Sequence, residues 1–289
     1  IAPQRPRRLG CLLVVEDVIA PRGPYRLHLI ARRNAWAAPL ARGAAQAWQR
    51  PDGRVVVRAP DEGGLARARF MLALDDDTSE FHARFSRDPL LGPAARALVG
   101  YRPLRTATVA HAVLRAFCGQ LIESRRARAL ERRIARAADG GAVATQTGLA
   151  RLSPAGLRAH GLAQHRATGL VRLVRSFDLE RLRAQPTAVV LARLQRERAV
   201  GPWSVGVIAL EGLGRYDHGL VGDLGLVKIA TALRGRAVEG WETAELLAPY
   251  GEWQGLASEV LLLGAARGLV PGVSPDAARL TRVRARRAA

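Results

Sequence analysis

The 289 residues, 48% of them hydrophobic, are enough for one or two domains with a real core, and no run is long and apolar enough to span a bilayer. Residues 1–10 are basic but lack a signal-peptide core and cleavage site, and Cys11 and Cys118, alone among apolar neighbours, are too few for a disulfide framework or an iron–sulfur cluster; the chain is expected in the cytoplasm. A formal charge of +20 favours an acidic polymer as partner: the single lysine, Lys228, amid many Arg, Ala and Gly reflects a compositional bias that leaves the shortage of acids unexplained.

Residues 1–75 read as β-rich. Segments 12–15, 25–30, 55–57 and 66–74 carry β-type residues, several in alternation, and Pro51-Asp52-Gly53 between Trp48 and Val55 makes a good hairpin turn. From Glu80 the pattern becomes helical. Val109, Val113, Phe117 and Leu121 recur every four residues and define a buried helix face. Arg125, Arg126, Arg128, Arg132 and Arg133 follow on a helix whose charge run reads as a solvated outer face. Ser153-Pro154 is a cap and first-turn pair for a short helix ending at Gly161. His160 and His165 have no partner spacing for a metal and read as structural.

An amphipathic run from Thr187 ends with Leu191, Leu194 and Gln195. Ala199-Val200-Gly201 supply a tight turn, and Pro202 suits a first helical position because it has no N–H to leave unpaired. Such a turn aims free helix amides at one point outside the protein, where a phosphate fits. Asp223 opens a further helix carrying Leu226, Val227, Ile229 and Ala230. A short helix over 241–247 and a last one through Leu263 complete the pattern, and 273–289 form a basic tail expected to be flexible.

The turn and what surrounds it resemble the helix-hairpin-helix DNA glycosylases, and within them the 3-methyladenine DNA glycosylase II family. Ala199-Val200-Gly201-Pro202-Trp203-Ser204 is similar to that family's G-I-G-P-W-T hairpin, and Val221-Gly222-Asp223-Leu224-Gly225-Leu226 to the segment that carries its catalytic aspartate. Gly100-Tyr101-Arg102-Pro103 resembles the G-L-R-P entry to the catalytic domain, Gln120-Leu121-Ile122 the Q-L-V segment, the stretch from Leu157 to Leu170 the pattern before the hairpin, and Glu252-Trp253-Gln254 the P-W-R segment. The likeness covers most of residues 75–270. It implies an α+β chain: an N-terminal small antiparallel β-sheet domain over 1–100, similar to the TATA-binding fold and including a connecting helix, then an all-α helix-hairpin-helix glycosylase domain over 101–272.

The resemblance also implies roles. Asp223 would stabilise the positive charge that grows on the sugar, or activate water. As an ordinary N-cap it would be typically worth ~1 kcal/mol, and the two roles are compatible, since a positive helix end favours a negative side chain. Leu121, with Gln120, would wedge into the gap left by the damaged nucleotide; the plainer reading of Leu121 is one more core leucine. Val200, Gly201, Trp203 and Ser204 would grip a phosphate through the hairpin backbone, and Gly201 lets that backbone approach closely. Trp203 and Trp253 would face an extruded base, with cation–π energy for a cationic one, or simply pack. Family hairpins hold a monovalent cation through backbone carbonyls; no side-chain metal site is expected.

The chain departs from the pattern at Ala199, where the first hairpin glycine belongs, at Val207 and Leu224, where some relatives carry tyrosines, and at Glu252 and Gln254 around Trp253. These leave the aromatic cleft thinner. The function expected is base excision repair: hydrolysis of the N-glycosidic bond of alkylated purines in double-stranded DNA by base flipping, leaving an abasic site, by a monomer associated with a bacterial-type nucleoid, without cofactor or obligatory protein partner. The alternative is a non-catalytic DNA-binding protein of the same fold, which would have no use for Asp223. A glycosylase for oxidised or mismatched bases is disfavoured by the lack of a hairpin lysine and of cluster cysteines. Strand cleavage is not expected either, since Trp203 stands where relatives that cut DNA carry that lysine, and Lys228, a turn beyond Asp223, need not face the pocket.

Overall fold

The structure, a computed structural model, describes residues 14–31, 34–120 and 123–275. Four strands, β1 (Val15–Ile19), β2 (Ala35–Pro39), β3 (Ala44–Gln49) and β4 (Val55–Ala59), form one antiparallel sheet in the order β1-β4-β3-β2. The 51–53 turn joins β3 to β4 as expected, with Gly53 at φ 85° and the Arg50 N–H bonded to the Arg54 carbonyl at 2.8 Å. One face buries Trp36, Ala45, Ala47, Val55, Val57 and Ala59 against Leu65, Ala68 and Met71 of α1 (Glu62–Met71).

Two of the expected strands are not strands. Residues 66–74 belong largely to α1: Asp61 caps it by accepting from the Gly64 N–H at 2.7 Å, and Leu65, Ala68 and Met71 stack on its inner face. The Arg/apolar alternation there imitates a strand, but the cap and the three-residue spacing prevail. Residues 25–30 form a single helical turn, Leu27–Leu29, because the Gln49 side chain satisfies the backbone that a strand partner would have taken: Oε1 accepts from the Leu27 N–H at 2.9 Å and Nε2 donates to the Tyr25 carbonyl at 3.0 Å. Strands β2 and β3 escape sequence reading because they are built from Ala, Gln, Trp and one Pro, with no β-branched residue.

The rest of the described residues are built on helices: α2 (Ser79–Phe85), α3 (Gly92–Ala97), α4 (Val109–Gly119), α5 (Ser124–Asp139), α6 (Gln146–Arg151), α7 (Pro154–Ala159), α8 (Gln164–Ser176), α9 (Thr187–Gln195), α10 (Pro202–Val207), α11 (Leu224–Arg234), α12 (Thr243–Leu247) and α13 (Gln254–Ala266). Helix α4 is the axis. Thr108 caps it through the His111 N–H at 3.0 Å, and it is buried almost all round, touching α5, α8, α10 and a π-helical turn, Ile208–Leu213, that continues α10. Ser153 and Asp223 cap α7 and α11 as their sequence positions foretell.

Two hydrophobic clusters result, one under the sheet and one around α4. Arg102, fully buried, joins them. Its guanidinium donates to the carbonyls of Ala73, Arg22 and Pro24, the last at 3.0 Å, and its Cζ lies 4.9 Å from the Tyr25 ring centroid.

Candidate active site and nucleic-acid interface

A cleft of about 1260 Å³ opens where the hairpin, the start of α5 and the start of α11 converge. The 199–204 hairpin, Gln120, Asp223, Leu224, Lys228 and Trp241 line it, with Arg115, Glu131 and Glu211 in its wall.

Asp223 caps α11 and lines the cleft. Oδ1 accepts from the Gly225 N–H at 2.7 Å and from the Leu226 N–H at 3.4 Å, as an N-cap does. Oδ2 accepts from the Trp203 indole N–H at 3.1 Å. The Trp203 ring lies over Gly119, where any Cβ would sit 2.5 Å from the indole. The hairpin thus reaches the carboxylate through Trp203.

The hairpin turns at Ala199, whose φ of +69° is the left-handed conformation that glycine adopts without strain. Its methyl is accommodated by Gly169, since a Cβ there would sit 2.9 Å from the Ala199 Cβ. The Gln120 side chain bonds to this turn, Nε2 donating to the Ala199 carbonyl at 2.8 Å and to Ser204 Oγ at 2.9 Å. Gln120, expected at the wedge, is therefore committed to the hairpin, and Ser204 contributes its hydroxyl inward. Leu121, the expected wedge itself, lies outside the described residues. The Val200 N–H, expected to grip phosphate, donates instead to the Glu197 carbonyl at 3.2 Å, closing the turn. Gly201 caps α10 at φ −88° without a side-chain acceptor, and a Cβ on it would meet nothing within 4 Å. No internal packing demands a glycine there, so the room it leaves faces outward.

Trp253 is not a cleft residue. Its ring stacks on Tyr216, 5.7 Å away at 26°, and lies 5.8 Å from Phe81, half-buried against the helical core. The P-W-R-like segment carries it behind the cleft, with Glu252 turned to an ion pair with Arg84 at 2.8 Å. The cleft's aromatic rings among the described residues are Trp203 and Trp241. Lys228 borders the cleft, contrary to the expectation that it need not face it, and so does His165. Val207 is buried in the cleft wall and Leu224 is exposed at its edge.

The wall carries a charge network that sequence reading passed over. The Ala144 N–H donates to His111 Nδ1 at 3.0 Å, which places the His111 proton on Nε2, facing Glu131 Oε1 at 2.7 Å. Arg115 bonds to Glu131 at 2.9 Å and to Glu211. Burial pushes the Glu131 carboxyl up, but His111 and Arg115 outweigh it and hold it at about 2. Arg125, Arg126, Arg128, Arg132 and Arg133 do form an exposed face, yet Glu131 falls with Leu130 and Ile134 on the buried one. That helical register was the available signal. Behind the wall, a second cavity of about 680 Å³ between sheet and helices holds Glu259, which accepts from Tyr101 Oη at 2.9 Å.

Three or more His, Cys, Asp or Glu side chains placed to hold a metal do not occur among the described residues. The hairpin carbonyls of Glu197, Ala199 and Gly201 each accept from a protein N–H.

The arrangement of a small antiparallel sheet on a helical body is similar to the fold of solved DNA glycosylases. The 3-methyladenine DNA glycosylase of Archaeoglobus fulgidus superposes with a TM-score of 0.70 over 88% of this chain and 98% of its own, at 18% identity. An 8-oxoguanine glycosylase/lyase of Clostridium acetobutylicum, solved with double-stranded DNA, gives 0.68 over 86% and 89%, at 17% identity. The Schizosaccharomyces pombe 3-methyladenine DNA glycosylase, solved with abasic DNA, gives 0.57 over 68% and 100%, at 15% identity. These likenesses define the fold. No protein-family model matches the chain, and no curated protein matches it in sequence.

Proposed function

We propose that the chain is a DNA repair glycosylase that hydrolyses the N-glycosidic bond of alkylated purines of the 3-methyladenine type in duplex DNA. The observation that carries this is Asp223: a carboxylate at a helix start, open to a cleft and tied by Trp203 to a hairpin whose Gly201 leaves room for a phosphate. In this reading the duplex lies across the hairpin, and the damaged nucleotide swings into the cleft. Asp223 then stabilises positive charge on the sugar as the bond breaks, or takes a proton from water as it attacks C1′. Alkylation has already made the base a good leaving group, so selectivity comes partly from its lability. The protein acts as a monomer.

The nucleophile is water, because Trp203 occupies the hairpin position from which a lysine would attack the sugar. Lys228 borders the same cleft, so this part needs its own test. The experiment is single-turnover incubation with methylated duplex DNA, resolving the released bases, with and without borohydride. Free alkylpurine, intact strands until alkali treatment, and no trapped adduct are expected. Asp223→Asn should bind DNA and fold normally but release almost no base. Full activity of that variant removes Asp223 from the mechanism, and an adduct lost on Lys228→Ala makes the enzyme a lyase.

A further inference from the structure

We propose that Trp241, with Leu224 on the same cleft, forms an apolar lip on which a nucleobase of the bound strand stacks. This rests on the DNA reading above. Few large apolar side chains are exposed among the described residues, and Trp241 at 66% and Leu224 at 52% are the two of them that line the cleft. They flank Asp223: Leu224 follows it in the chain, and Trp241 comes from the next loop. Neither serves the core.

The indole also stands on a rigid mount. Trp241 lies in a short helical turn, Gly240–Glu242, closed by a reciprocal capping box between Glu239 and Glu242. Glu242, buried, is held by Arg234 and Arg236, the latter at 2.6 Å. The Thr243 hydroxyl donates to the Gly240 carbonyl at 2.7 Å and accepts from the Gly222 N–H at 2.8 Å. A Cβ on Gly240 would sit 3.4 Å from the Gly222 Cα. The backbone under the indole is thereby fastened to the residue immediately before Asp223. The indole projects from this backbone into the open.

An exposed indole fixed in this way needs a flat partner. A nucleobase fits, because stacking on an aromatic face tolerates any base sequence and the chain's charge of +20 concentrates a polyanion at its surface. A protein partner would ask for a broad apolar patch. Here the two side chains stand in a groove beside Lys228 and His165.

The test uses the full chain and a duplex holding a tetrahydrofuran abasic-site analogue, which binds without turnover. Wild-type tryptophan emission should be quenched on binding, and Trp241→Phe should lose a discrete part of that quench while keeping affinity within a few fold. Trp241→Ala should weaken Kd about 5- to 150-fold, the range for losing one base–aromatic stack. Quench and affinity unchanged in both variants overturn the lip. So does a change in sedimentation of Trp241→Ala with DNA affinity intact, which would mark a protein contact. Excision by the wild type separates the two readings. No excision with a Trp241-dependent quench sinks the glycosylase and keeps the lip; excision with a quench indifferent to Trp241→Phe sinks the lip alone.

Discussion

The Trp203 indole N–H donates to Oδ2 of Asp223 at 3.1 Å, so the hairpin and the carboxylate are one hydrogen-bonded unit. With Oδ1 on the α11 amides, neither oxygen is left to swing. Trp203→Phe keeps a ring over Gly119 but deletes this donor. A hydrogen bond to a charged group contributes about 1.5–3 kcal/mol, so base release under single-turnover conditions should slow by about 10- to 100-fold. DNA affinity should change far less. An unchanged rate would mean that the indole packs without positioning Asp223.

Gly201 offers the cleanest separation of binding from folding. Its φ of −88° suits any residue, and a Cβ meets nothing in the free protein. Gly201→Ala should leave stability within about 1 kcal/mol of the wild type. Affinity for duplex DNA should fall, because the methyl projects where a phosphate must approach the amides. Equal affinity, measured by fluorescence anisotropy at fixed salt, would place the phosphate elsewhere.

Ala199 and Gly169 form a pair exchangeable only together. A methyl on Gly169 would meet the Ala199 Cβ at 2.9 Å, Phe117 Cε1 at 3.0 Å and the Arg198 carbonyl at 3.2 Å. Gly169→Ala should cost about 1–3 kcal/mol in urea unfolding. Ala199→Gly removes one of those contacts and the left-handed strain of about 1–2 kcal/mol. The double variant should therefore recover part of the loss, with a coupling on the order of 1 kcal/mol. Strict additivity would show that Phe117 and Arg198 alone absorb the added methyl.

Glu259 sets a pH dependence of stability. Burial, and then the charge of Glu211, push its carboxyl from 4.5 up to about 7 against the pull of the Tyr101 hydrogen bond. Between those values the folded chain holds a proton that the unfolded chain has lost. The stabilisation is complete below about 4.5 and disappears as pH rises through about 7. It amounts to no more than on the order of 3 kcal/mol. Glu259→Gln should flatten the decline in urea midpoint between pH 5 and pH 8. A slope identical to the wild type would assign the decline to other groups.

The helical half of the fold was legible because its signals are local. Ser153, Pro202 and Asp223 mark helix starts by their own chemistry, and the structure places each where the sequence did. The sheet was less legible. Alanine-rich β2 and β3 pair as a hairpin but carry no β-branched residue to announce it, and Gln49 decides the fate of residues 25–30 from a strand 22 residues beyond Leu27. At the site, Asp223 and the hairpin could be read as motifs. The Trp203–Asp223 bond, the Gly169 recess and the position of Trp241 could not, because each joins segments that only the folded chain brings together. Trp253 misled for the same reason: a motif fixes a residue's place in the chain, and packing against Tyr216 and Phe81 fixes where its ring goes.

The buried Arg102 guanidinium bonds to three backbone carbonyls, with the charges of Asp76 and Asp77 acting on it from outside those bonds. Carbonyl oxygens cannot be titrated away, so the three hydrogen bonds themselves keep their acceptors across the working pH range. The planar guanidinium also sets direction: Arg22, Pro24 and Ala73 must all present their oxygens to one plane. Sheet and helices are thus docked before any ligand arrives. Any ligand then meets a preset shape, and the entropy of bringing the two halves together has already been lost in folding.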